Sequence, residues 1–305
     1  MTSRDRLGFV RPGGDVDIYR FRTGTTAASP VASSTVDEIQ PQYSPDGRRI
    51  AFESVGEGGA VVLADADGSN PMLLTRGPGR AQGSPRWSPD GRRISFDAQA
   101  DDGHWDVWTI GVDASELYQV THRRTDQGPS SWSRDGRSIY FHSTRTGRRE
   151  VWRVAVAGGR EEQVTHRGGY LPFESPDGRT LYYQRGLGES PLQAMPTAGG
   201  EERTVIPCVP HWGYAVGPRG VFHIDCRGTD GSAARHPRHE APHAVWAERF
   251  SRWARGSLHA RRLERGPDDD RELPLISGDP SRSSRSRRGR GTRSPPGPPR
   301  SCRRA

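Results

Sequence analysis

A four-residue turn returns in this chain every 42 to 45 residues: Ser44-Pro45-Asp46-Gly47, Ser88-Pro89-Asp90-Gly91, Ser133-Arg134-Asp135-Gly136 and Ser175-Pro176-Asp177-Gly178. A decayed copy, Gly217-Pro218-Arg219-Gly220, follows. The apolar anchors Leu7, Ile50, Ile94, Ile139, Leu181 and Val221 keep the same period, in steps of 43, 44, 45, 42 and 40. An aromatic stands five residues after each of the four intact turn glycines, at Phe52, Phe96, Phe141 and Tyr183. A single such turn carries little information, but its return in register with an anchor and an aromatic marks a repeated structural unit.

Residues 129–169 hold one complete unit. Residues 131–133 read as a short strand, and Arg134-Asp135-Gly136 as a hairpin turn in which Gly takes positive φ and Asp bonds the backbone beyond it. Residues 138–142 alternate as a second strand, 150–156 as a third and 162–165 as a fourth, with turns at Thr146-Gly147 and Gly158-Gly159. Four short antiparallel strands repeated at this period predict an all-β chain, a β-propeller of four-stranded blades. Five to six blades are recognisable, over 1–38 (partial), 39–83, 84–128, 129–170, 171–212 and 213–225 (partial). In the first, residues 7–10 and 15–21 read as second and third strands whose turn strand would lie before Met1, so the ring is expected to be incomplete. Third-strand signal weakens at Pro191-Leu192, where the proline argues for an exposed edge. Ser44, Asp46, Gly47, Ser88, Asp90, Gly91, Ser133, Asp135, Gly136, Ser175, Asp177 and Gly178 are assigned to structural turns. Phe52, Trp87, Phe96, Trp132, Phe141 and Tyr183 are assigned to the core between blades.

Charge divides the chain differently. All 45 basic residues are arginine, and the net charge is +8. Residues 1–225 carry 26 Arg against 28 acidic residues, whereas 226–305 carry 19 Arg against 9. Strand periodicity stops after Asp225, and Arg, Pro, Ser and Gly take over. A basic nucleic-acid or membrane arm, a plain disordered tail and a product of the wrong reading frame compete for this stretch. With suitable synonymous codons, the segment PHAVWAERFSRWA at 242–254 reads, one base forward, as Pro-Met-Arg-Phe-Gly-Leu-Ser-Val-Ser-Pro-Asp-Gly-Arg, another copy of the turn. The tail at 226–305 therefore reads as frameshifted and disordered. No specific nucleic-acid binding is expected of the chain, since the basic stretch at 281–304 lacks a helix for a groove or interleaved aromatics for stacking.

The units PQYSPDGRRIAFES, PRWSPDGRRISFDA, PSSWSRDGRSIYFHSTRTGRREVWRVAVAGGREEQVT and FESPDGRTLYY resemble the TolB-type, WD-repeat-like propeller repeats of bacteria, over residues 7 to about 225. The resemblance is closest to propellers that follow an OmpR/CadC-like winged-helix DNA-binding domain in acidobacterial-type transcriptional regulators. It implies a non-enzymatic sensory module, separated from its effector, that binds a protein, peptide or small ligand at the propeller face. The alternative that it implies is an accessory propeller of a peptidase or hydrolase, of a kinase, or of a polysaccharide lyase-like enzyme.

Residue chemistry favours the first class. The chain has no GxSxG nucleophile elbow, no GxxxxGK[ST] loop, no HExxH and no paired CxxC. Catalytic residues, cofactors and metal ligands are accordingly not expected. Cys208, Cys226 and Cys302 are far apart in sequence, which argues against a structural disulfide. His122 and His166 read as loop histidines, His211 as a packed histidine at the channel rim, and Arg86, Arg148 and Arg149 as parts of solvated faces. No run of apolar residues is long enough for a membrane span and no leader pattern opens the chain, so a cytoplasmic location is expected of the chain as written, with periplasmic propellers among full-length relatives.

Overall fold

The computed structural model describes residues 6–12, 16–22, 28–56, 58–217, 220–224, 226 and 258–261. These residues form 22 β-strands and no helix. The first sheet joins β1 (Arg6–Pro12), β2 (Val16–Arg22) and β3 (Ala28–Ala32). Four four-stranded sheets follow in strict chain order. They are β4 (Glu38–Tyr43), β5 (Arg49–Ser54), β6 (Ala60–Asp65) and β7 (Met72–Leu73); then β8 (Gln82–Trp87), β9 (Arg93–Gln99), β10 (Trp105–Gly111) and β11 (Tyr118–Gln119). The next two are β12 (Gln127–Trp132), β13 (Ser138–Ser143), β14 (Glu150–Ala155) and β15 (Glu162–Gln163); then β16 (Tyr170–Glu174), β17 (Thr180–Gln184), β18 (Ser190–Pro196) and β19 (Arg203–Val209). A last sheet joins β20 (Tyr214–Gly217), β21 (Gly220–Ile224) and β22 (Leu258–Arg261). Within each sheet every strand pairs antiparallel with its neighbour in sequence, and consecutive sheets pack face to face as an incomplete propeller.

Hydrophobic burial lies between blades rather than within one. Phe96 and Ile94 of one blade pack with Ala51, Val61 and Leu63 of the preceding one, while Phe141 and Ile139 pack with Val107 and Val120. Tyr183 and Leu181 meet Tyr140 and Val151, and Phe52 and Ile50 meet Ile18 and Val31. The period-2 alternation of each second strand thus puts anchor and aromatic on one face, toward the previous blade. Trp87 and Trp132 fix the inner strands by reaching back: their indole N–H groups donate to the Gln42 carbonyl at 3.0 Å and to the Arg86 carbonyl at 3.1 Å.

The recurring turn closes on itself. Ser88 Oγ donates to Asp90 Oδ1 at 2.6 Å and accepts from Arg93 N–H at 2.9 Å, while Arg92 N–H donates to Asp90 at 3.0 Å. Ser44 with Asp46, Ser133 with Asp135 and Ser175 with Asp177 repeat this arrangement. The serine hydroxyl holds each aspartate below the usual carboxylate range, as does the backbone N–H two residues on. Serine and aspartate here are spent on the turn. A second latch ends three blades: Thr75, Thr121 and Thr165 accept from the N–H groups of Val61, Val107 and Val151 at 2.8–2.9 Å.

Three expectations change. Pro191 lies in β18, which is interior to its sheet, between β17 and β19. It is accommodated because the β18–β19 register shifts between Ser190 and Leu192, so its missing N–H falls at an irregularity and not in the ladder. Inner strands are longer than the sequence suggests; β12 begins at Gln127, because an X-Pro irregularity masks the alternation. Cys208 and Cys226 form a disulfide with a Cα–Cα distance of 5.7 Å, contrary to the reading that sequence distance separated them. The end of β19 and the end of β21 are brought together by blade stacking, which sequence spacing does not reveal. Of the arginine-rich stretch, residues 227–257 and 262–305 lie outside the described residues, so its reading as a frameshifted, disordered tail does too. The exception is β22, which pairs with the otherwise open edge of β21.

Candidate functional site

Four second strands place a polar residue directly after the aromatic: Glu53, Asp97, His142 and Gln184. Because alternate residues of a strand face opposite ways, each of these points away from the aromatic's core and toward the inner strand of the following blade. There, Gly83 and Gly128 leave the necessary space. A Cβ on Gly83 would lie 2.2 Å from the Glu53 carboxylate, and one on Gly128 would lie 3.0 Å from Asp97 Cβ. Glu53 accepts from Ser84 N–H at 3.2 Å, the His142 ring lies 4.9 Å from that of Tyr170, and Gln184 Oε1 accepts from Trp212 N–H at 3.3 Å.

The inner strands are shaped for this meeting. Gln40, Ser84, Gly128 and Leu171 all have positive φ, and each precedes a proline. Ladder registers shift at these four places. Left-handed conformation is uncommon for residues other than glycine and is the more unfavourable for a branched, bulky one such as Leu171. Repetition in four successive strands makes it a built feature, and such bulges re-aim side chains where they occur.

Arg86, expected on a solvated face, is instead buried at 6% exposure. Its guanidinium lies over the half-buried rings of Phe173, at 5.5 Å, and Trp212, at 5.2 Å. Burial lowers its pKa to about 10, opposed by the charges of Asp97 and Glu53, so it remains a cation. Burial, with Asp97's charge adding to it, pushes Glu53 up to about 8. His142 and His211 are held down to about 3 by burial and by the charge of Arg149, and are neutral near pH 7. His211 Nε2 and the Tyr170 hydroxyl are 3.1 Å apart, and Tyr214 donates to the carbonyls of Leu171 and Tyr182. Inner and second strands of successive blades, with the turn at 211–212, thus gather a buried cation, two carboxyl groups, two neutral imidazoles and several aromatic rings.

Other sequence candidates fall elsewhere. The twelve turn residues form the closed networks described above, and Trp87 and Trp132 are buried between blades. His122 and His166 are exposed in loops, as is Arg148, while Arg149 is half-buried and acts on His142, His211 and Tyr170. Glu189 and the sulfurs of Cys208 and Cys226 lie within 4.8 Å of one another, but the sulfurs are joined to each other. The polar column of Glu53, Asp97, His142 and Gln184 was missed by motif reading, although aligning the repeats shows it.

The repeated turns and strands match the family model of the TolB beta propeller domain over residues 26–222. The chain belongs to that family. This TolB-type propeller is 34% identical over 145 residues to an uncharacterised protein of Agrobacterium fabrum, covering 46% of the chain and 48% of the relative. It is 28% identical over 181 residues to tricorn protease homolog 1 of Streptomyces coelicolor, covering 57% of the chain and 16% of that protein. The chain therefore spans half or less of the length of these curated relatives. In three dimensions it resembles a putative TolB from Agrobacterium tumefaciens (TM-score 0.59, 24% identity, 68% of this chain and 82% of that one). It also resembles TolB from Acinetobacter baumannii (TM-score 0.63, 21% identity, 72% and 57%) and a puromycin hydrolase (TM-score 0.53, 20% identity, 72% and 41%). These structural likenesses show the fold. Among the described residues of the TolB-type propeller, no helix is long and apolar enough to cross a membrane.

Glu53 gives the site a pH signature. Its carboxyl titrates near 4.5 in the unfolded chain and near 8 in the fold, so between these values the folded state holds the extra proton. The folding stability that it contributes is full below about pH 4.5 and is lost as pH rises toward 8. His142 and His211 act in the opposite sense, with stability lost as pH falls from 6.5 toward 3. Glu53→Gln, which keeps a neutral acceptor for Ser84 N–H, is expected to flatten the alkaline decline of the thermal midpoint. The variant should be more stable than the parent above pH 8. A parallel decline in both proteins would contradict the placement of Glu53.

Proposed function

We propose that this TolB-type propeller is a non-enzymatic binding module, taking a protein, peptide or small ligand where the second strands meet the inner-strand bulges. The observation that carries this reading is the polar column, half-buried at Glu53 and Asp97 and buried at His142 and Gln184, beside the buried Arg86. Desolvating charged groups costs several kcal/mol unless they are paired, and ionisable groups perturbed in this way concentrate at functional sites. In its finer form, the module is the sensory part of a bacterial transcriptional regulator, acting apart from its DNA-binding domain; that form rests on likeness of the repeats alone. Identity with a tricorn protease homolog and the shared fold with puromycin hydrolases support a second reading, an accessory propeller of a peptidase.

Thermal-shift titration of the full chain against charged small molecules and short peptides tests the first reading. At least one is expected to raise the midpoint, and Trp212→Ala, at a half-buried position, should abolish the rise. A rise of equal size in the variant would place binding elsewhere. Release of amine from a peptide substrate by the purified chain alone would overturn the non-enzymatic assignment.

A further inference from the structure

We propose that Cys208, Cys226 and Glu189 form a redox-switched metal site. Oxidised, the cysteines are bridged; reduced, the three residues are a ligand set for a thiophilic divalent cation with the chemistry of Zn²⁺.

Three segments build the site. Glu189 ends the turn between β17 and β18, Cys208 lies in β19, and Cys226 follows β21 in the next blade. Both sulfurs and a Glu189 carboxylate oxygen lie within 4.8 Å of one another. Tetrahedral zinc, with bonds of about 2.3 Å to sulfur and about 2.0–2.2 Å to oxygen, sets its ligand atoms roughly 3.6–3.8 Å apart. The carboxylate is therefore close to its place. The sulfurs, once unjoined, reach this spacing by turning about their own Cα–Cβ bonds, since their Cα atoms are 5.7 Å apart.

The place is open to solvent. Glu189 is exposed, both cysteines are half-buried, and a Cβ built on Gly186 or Gly188, in the turn that carries Glu189, would meet nothing within 4 Å. A cation thus has a path to all three groups, and a turn with two glycines lets the carboxylate follow it. Contacts that an exposed carboxylate makes to its neighbours contribute little to stability, so those of Glu189 yield to a divalent ion.

The switch is a two-electron exchange. A small dithiol closes to its own disulfide, and Cys208 and Cys226 each take up a proton as their bond breaks. Metal binding then releases both protons. Two thiolates and a carboxylate side by side repel one another unless a cation lies between them. Thiolate ligands select zinc over magnesium or calcium, which prefer oxygen alone. Cysteine pairs persist as disulfides in oxidising compartments, whereas in reducing ones they are more often metal ligands or catalytic. In either state β19 stays tied to the end of β21, by a covalent bond or by an ion.

The full chain, reduced with a water-soluble phosphine and desalted without oxygen, is titrated with Co²⁺ and then with Zn²⁺. Cobalt is expected to bind with thiolate-to-cobalt absorption, which zinc abolishes. Zinc should also slow alkylation of Cys208 and Cys226, read peptide by peptide, at least roughly tenfold, because the bound thiolate is withdrawn as a nucleophile. The bridged chain and the Cys208→Ser, Cys226→Ser double variant should show neither effect. Glu189→Gln should weaken zinc binding roughly 10- to 100-fold and leave alkylation without metal unchanged. Equal alkylation with and without zinc, cobalt absorption of equal strength in the double variant, equal protection by Mg²⁺, or undiminished zinc affinity in Glu189→Gln would each overturn the assignment.

Discussion

Phe141→Ala is expected to lower the folding free energy by about 3–5 kcal/mol, the range for truncating a fully buried phenylalanine. Phe141 is 0% exposed and packs with Ile139, Val154 and Trp132 of its own blade and with Val107 and Val120 of the preceding one. The cavity would therefore open between blades, where the repeat has its hydrophobic core, and neighbours fixed by two sheets have little freedom to collapse into it. Urea or thermal unfolding followed by circular dichroism measures the loss. An unchanged midpoint would mean that the second strand is out of register by one residue, since that slip would turn Phe141 to the opposite face.

Loss of the Cys208–Cys226 bridge is expected to cost about 3 kcal/mol, the chain-entropy value for a loop of this length. The bridge spans 18 residues and ties the end of β19 to the end of β21, across two successive blades. Denaturant unfolding with and without reductant, repeated on the Cys208→Ser and Cys226→Ser double variant, measures it. The reductant should destabilise the parent and leave the variant unchanged. Disulfides persist in oxidising compartments, so a protein prepared without reductant should yield a 208–226 linked peptide on proteolysis. Alkylation of both cysteines without prior reduction would contradict the bridge.

Repetition made the blades legible. A turn of Ser, Asp and Gly needs particular residues at fixed positions, so its recurrence in register announces itself, as does an aromatic such as Phe96 or Phe141 at a constant offset. The family assignment over residues 26–222 follows the same signal. What sequence pattern concealed was decided by stacking. Cys208 and Cys226 meet because β19 and β21 belong to neighbouring sheets, and nothing in their spacing reports that. Pro191 reads as an edge residue, yet it sits in an interior strand, because a register shift absorbs its missing N–H. Arg86 reads as solvated because arginine is mostly exposed, but its burial follows from Phe173 and Trp212 of later blades, far away in sequence.

The polar column is an intermediate case. Glu53, Asp97, His142 and Gln184 hold one position of the repeat, and four polar residues in a row at a position flanked by core aromatics contradict simple burial. Their chemistry differs from blade to blade, so no motif search finds them; alignment by the turn glycines does. The inner-strand bulges that receive them carry a weaker mark, the prolines at 41, 85, 129 and 172 that follow the positive-φ residues.

Hydrogen–deuterium exchange of the full chain, with and without a compound that raises its thermal midpoint, tests most directly whether this polar column is the binding site. Protection on binding is expected in peptides covering β8, β16 and the segment from Val209 to Tyr214, which carry Arg86, Tyr170, Phe173, His211 and Trp212. Protection confined to the outer strands β7, β11 and β15, with the inner strands unchanged, would contradict it.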